Sequence, residues 1–138
     1  MKRTHLAVFL VIAILSGAGC AAKRAARLEK PLMNLTVAVR GAAAYGQGPL
    51  SDAQALELAY KRNPELRIAF RKYPLQIRHE GKEVVILVCS PNGKFALLED
   101  ASWTDPVDRR WYETKAKPKP ACAPDRSLVP GAPATTPP

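Results

Sequence analysis

Histidine and cysteine are scarce, two of the first and three of the second in 138 residues. No Cys-x-x-Cys or His-x-x-x-His spacing occurs, so the clustered ligands that a transition metal needs are missing, and no metal or cofactor is expected. No Gly-x-Ser-x-Gly frame surrounds Ser51, Ser90, Ser102 or Ser127, and Gly46 and Gly48 are not followed by the Gly-Lys-Ser of a phosphate loop. The longest apolar run, Leu6 to Leu15, is about half the roughly 20 residues needed to cross a bilayer as a helix. The length allows one small domain and excludes a large multi-domain enzyme.

What the N-terminus does contain is a leader. Lys2 and Arg3 precede the apolar run, and Ser16, Gly17, Ala18 and Gly19 are small residues leading into Cys20. This pattern is that of a signal peptide over residues 1–19. With its cysteine directly after the small residues, the segment resembles a bacterial lipoprotein signal, although Gly17 stands where such signals usually carry Leu. The resemblance implies that Cys20 becomes the lipidated N-terminus and that the protein sits in the cell envelope. Ala21, in place of the Asp associated with inner-membrane retention, implies the outer membrane, facing the periplasm. Acyl burial at about 0.8 kcal/mol per methylene makes such attachment durable.

Acidic residues number 12 against 21 Lys and Arg, for a net charge of +9. The excess is not spread evenly. Residues 51–112 carry ten basic and nine acidic groups, whereas residues 20–50 set Lys23, Arg24, Arg27, Lys30 and Arg40 against Glu29 alone. A nucleic-acid surface needs basic residues gathered on a folded face, and interleaving at nearly one to one disfavours it. Lys23, Arg24, Arg27 and Lys30 lie close to Cys20 and suit an anionic membrane surface.

Residues 20–50 are Ala-rich and broken by Gly41, Gly46, Gly48 and Pro49, which reads as a disordered basic tether. Leu32 to Val39 alternates and is expected as an edge strand within it. Ser51 with Gln54 forms a capping box for a helix that Asn63-Pro64 ends. Asn63 then caps a second element, in which Leu66, Ala69, Phe70 and Tyr73 keep helical spacing, while Leu66, Ile68 and Phe70 also permit a strand. From Leu75 the period is two, with Gly81-Lys82 as a two-residue turn. Val84 to Cys89 is a continuous apolar run typical of a central strand, and Lys94 to Glu99 returns after Pro91-Asn92-Gly93. The expected fold is α+β: a three-stranded antiparallel meander with one or two helices packed on it, over residues 51–112. Trp103, Trp111 and Tyr112 are expected to close the open end of its core. Residues 113–138 form a Pro-rich tail.

With Cys20 lipidated, Cys89 and Cys122 remain as an even pair in an oxidising compartment, and a disulfide between them is expected. His79 reads as a surface histidine, and the adjacent Glu99 and Asp100 as the polar exit of the third strand, pointing to opposite faces. These features favour a non-catalytic, lipid-anchored accessory or interaction module with an envelope protein as partner. The competing readings are a small periplasmic hydrolase using His79 with Glu99 or Asp100, and a polyanion binder acting through residues 21–40.

Overall fold

The structure, a computed structural model, describes residues 22–46, 48–80, 83–114 and 121–122. The expected signal peptide, Cys20, the Gly81-Lys82 turn and the tail from residue 123 lie outside the described residues.

A short helix, α1 (residues 22–26), leads through a turn into α2 (Glu29–Tyr45). This overturns both the tether expected over residues 20–50 and the edge strand expected from Leu32 to Val39. The reason is a second period in the same residues. Ala25, Leu28, Leu32, Leu35, Val39 and Ala42 recur at intervals of three and four, and none is more than 6% exposed. A stripe with that period is buried by a helix, and the alternation through Val37 is incidental, Val37 being 59% exposed. Pro31 falls in the first turn, where its missing N–H has no helical partner to lose. Gly46 ends α2, because a Cβ there would stand 2.8 Å from both the Ala42 carbonyl oxygen and Leu50 Cδ1. The folded domain therefore includes Ala25 and Leu28 and does not start at Ser51.

The next elements follow their sequence signals. The Ser51 hydroxyl accepts from Gln54 N–H at 3.3 Å and Gln54 Oε1 accepts from Ser51 N–H at 2.9 Å, capping α3 (Asp52–Arg62). Pro64 opens α4 (Pro64–Phe70), which settles the ambiguous stretch as helix, with Leu66 and Phe70 buried and Ile68 exposed. Asn63 does not cap α4 through its side chain; its amide donates instead to the Ala59 carbonyl at 3.1 Å.

Strands β1 (Leu75–Glu80), β2 (Glu83–Cys89) and β3 (Ala96–Ala101) form an antiparallel sheet in the order β1-β2-β3, with the continuously apolar strand in the centre. Pairing sorts the side chains into rows. Leu75, Val88 and Leu98 share the helix-facing side with Ile77, Ile86 and Asp100; Gln76, Leu87 and Glu99 share the outer side with Arg78, Val85 and Ala101. The Ser90–Phe95 connection turns through Gly93 at φ 70°, a backbone conformation that favours glycine.

Beyond β3 the chain doubles back along its edge. Glu99 and Arg109 exchange two backbone hydrogen bonds of 2.9 Å, and Tyr112 N–H donates to the Leu97 carbonyl at 3.0 Å. Cys89 and Cys122 form the expected disulfide, 33 residues apart with Cα atoms separated by 6.0 Å. With Leu87, Ala96 and Trp111 they make a small apolar cluster on the outer side, while Tyr112 packs against the main core. Trp103 departs from expectation: it stands 53% exposed rather than closing the core.

Two substitutions separate this packing from a tether. Leu35→Ala is expected to cost about 2–5 kcal/mol, as for a core leucine, where a tether position would leave stability unchanged. Tyr60→Phe is expected to hold or raise stability by about 1 kcal/mol, because the buried Tyr60 hydroxyl has no hydrogen-bond partner among the described residues. Urea denaturation followed by circular dichroism measures both.

Candidate functional site

The expected membrane-facing residues lie on helix, not on tether. Lys23 and Arg24 on α1, Arg27 in the turn after it and Lys30 at the start of α2 are all exposed. Glu29, the one acid among them, turns away. Its carboxylate accepts from Arg110 Nε and Nη2, each at 2.9 Å, and from the Tyr112 hydroxyl at 2.9 Å. The Arg110 hydrogen bond holds the Glu29 carboxyl below its ordinary value, and burial with Glu29 nearby pushes Tyr112 up to about 12.

The sheet's outer face carries the second feature. A shallow groove of about 190 Å³ is lined by Gln76, Ile77, Arg78, Val85 and Leu87, so its floor is apolar and its wall cationic. Beside it Glu99, only 3% exposed, lies 3.5 Å from Arg78 and 3.7 Å from Arg109, and Arg109 stacks over Trp111 at 5.5 Å. Glu99 thus lies between two arginines, and Arg109 also lies 3.7 Å from Asp108.

On the helix-facing side the neighbouring residue, Asp100, is 1% exposed. Neither carboxylate is therefore the polar strand exit expected of it. Thr36 Oγ1 lies 2.6 Å from the Leu32 carbonyl oxygen and 2.5 Å from Asp100 Oδ2. A hydroxyl has one proton to donate. Thr36 Oγ1 thus bridges the Leu32 carbonyl and the Asp100 carboxyl, its single proton shared between the two acceptors. Burial pushes the Asp100 carboxyl up, against the opposing pull of hydrogen bonds from Thr36 and Thr104, and the Asp108 charge adds to the rise.

The hydrolase constellation is not assembled. His79 Nε2 lies 2.6 Å from Asp52 Oδ1 at the start of α3, with both side chains about two-fifths exposed. Glu99 faces the opposite side of the sheet from His79, and Asp100 belongs to the Ile77–Ile86 row with β2 between it and β1. Sequence reasoning named neither Asp52 nor Thr36 as partners, since these pairs lie 27 and 64 residues apart. Among the described residues no group of three His, Cys, Asp or Glu side chains is placed to hold a metal ion. The two surfaces are a cationic helix face on one side and a groove with apolar and arginine lining on the other. Neither a family model, nor a curated protein, nor a solved structure matches the chain.

The buried carboxyl sets a pH dependence. A carboxyl raised on folding contributes stability that is complete below its ordinary value of 3.8 and is lost as pH rises through its folded value. Glu29 acts in the opposite sense, its contribution being present above 4.5 and lost as pH falls through its lowered folded value. Asp100→Asn keeps a donor toward Thr36 and cannot ionise. The variant is expected to gain stability relative to wild type on going from pH 4 to pH 7. Urea midpoints at both pH values measure it; a pH-independent difference would show that Asp100 titrates normally.

Proposed function

We propose that the chain is a lipid-anchored cell-envelope protein whose small domain acts as a non-catalytic accessory or interaction module, held at the periplasmic side of the outer membrane. The observation that carries this reading is the Cys89–Cys122 disulfide. Disulfides persist in oxidising compartments outside the cytosol, which accords with the leader and with the resemblance of residues 1–20 to a lipoprotein signal.

Two further features support it. Packing is under way by Ala25, 1% exposed, so a lipid on Cys20 would lie within about 7 Å of residue 22 along the chain. The domain would then sit against the membrane instead of being held off by a spacer. Its outer sheet face offers a partner an apolar floor and arginines, while the acid and base candidates for hydrolysis point to separate surroundings. Among the described residues no helix is long and apolar enough to cross a membrane.

Intact mass of the protein extracted from bacterial membranes is the test. A chain beginning at Cys20 with added diacylglycerol and acyl groups is expected, and reduction is expected to add two hydrogens. Cys20→Ala is expected to move the protein from the membrane to the soluble fraction. An unlipidated wild-type mass would overturn the anchor.

A further inference from the structure

Around the solvent side of α1 and α2 runs a stripe of one sign. Lys23, Arg27, Lys30, Asn34 and Val37 recur at intervals of four and three, and every one is exposed. The stripe lies opposite the one that packs on α3, β2 and β3. No carboxylate of these helices offsets it, because Glu29 is committed to Arg110 and Tyr112. Arg40, further along, is paired with Glu83 at 2.9 Å. Toward its end α2 shows apolar and aromatic surface, Val37 at 59% and Tyr45 at 85% exposed. The apolar stripe of α2 is already committed to the core, so what this exposed face offers an anionic leaflet is its cations, each attracted to the surface, with Val37 and Tyr45 beside them.

We propose that the exposed face of α1 and α2 lies flat on a leaflet containing anionic phospholipid. Lys23, Arg24, Arg27 and Lys30 meet headgroup phosphates, and Val37 and Tyr45 settle at the interface. The inference rests on the proposed anchor only in that Cys20 would bring this face to the bilayer. It fixes the orientation of the domain: the helix layer is membrane-proximal, and the groove of Gln76, Arg78, Val85 and Leu87 is turned toward the periplasm, where a partner can reach it.

The alternative orientation is a domain standing on its N-terminus. Lys23 and Val37 would then differ in height by about 21 Å at 1.5 Å per residue. Only residues near Lys23 would fall within the roughly 8 Å reach of the surface charge. Lys30 therefore discriminates between the two.

The test uses the membrane-extracted protein in nanodiscs, either of phosphatidylcholine alone or with phosphatidylglycerol as a third of the lipid. Lysine acetylation rates are read by mass spectrometry. Lys23 and Lys30 are expected to react about 5-fold more slowly in the anionic discs, with high salt restoring the rate. Lys61, Lys72 and Lys94, exposed elsewhere on the domain, serve as controls and are expected to be unchanged. Absence of protection at Lys30, equal protection in neutral discs, or protection spread over the controls would each overturn the proposal. The same digest reports the mass of the Cys20 peptide, so the two readings fail separately. An unmodified Cys20 with protected lysines removes the anchor and keeps the face; a lipidated Cys20 with unprotected lysines does the reverse.

Discussion

The burial of α2 against β2 and β3 is the contact on which the rest of this domain depends. A three-stranded sheet needs a covering layer to be stable, and α3 and α4 are too short to cover it alone. α2 supplies four of the buried apolar positions in the main cluster, Leu32, Leu35, Val39 and Ala42, and Leu28 just before it adds a fifth. At the centre of that contact sits a polar pair, Thr36 and Asp100, both fully or almost fully buried. A misregistered α2 would leave Asp100 without its hydroxyl partner, at the cost of burying an unsatisfied polar group. Packing area holds the helix down, and the Thr36–Asp100 contact fixes where along its length it sits.

Adjacent residues of β3 thus resolve the same difficulty in two ways. Strand alternation sends Glu99 and Asp100 to opposite faces, and both become buried. Toward the helices Asp100 is buried against the Thr36 and Thr104 hydroxyls, and burial outweighs their hydrogen bonds and raises its carboxyl. On the outer face two arginines approach Glu99, one from β1 and one from the segment after β3. Arg109 also stacks on Trp111, which packs beside the disulfide, so the ion pair, the aromatic ring and the covalent link form one continuous patch beside the groove.

Local signals in the sequence carried most of the fold. The Ser51–Gln54 capping box, Pro64 at a helix start, the apolar run of β2 and the turn at Gly93 each act over a few residues, and each appears where it was expected. The Cys89–Cys122 pairing was legible because only two cysteines remained after Cys20 was set aside. α2 was not legible as a helix, because Leu35, Val37 and Val39 alternate like a strand while Leu28, Leu32, Leu35, Val39 and Ala42 keep helical spacing. Thr36, Val37 and Val39 are β-branched, which also favours a strand locally. The longer stripe decides, since its burial outweighs a local preference. The fates of Glu99, Asp100 and Trp103 were illegible for another reason: burial of a polar group, or exposure of an apolar one, is set by partners distant in the chain. The basic residues of the proposed membrane face were visible at once. Their gathering on one side became apparent only when α1 and α2 replaced the tether.

The clasp of Glu29 by Arg110 and Tyr112 joins groups 81 and 83 residues apart. Nearly the whole domain is enclosed between its two ends. A helix that begins at residue 29 must therefore wait, during synthesis, until residue 112 has emerged before its full set of contacts exists. Its stripe has no sheet to rest on until β2 and β3 are made. The domain is consequently built to assemble late, and a nascent chain halted before β2 and β3 are made would display an apolar helix with no sheet to cover it.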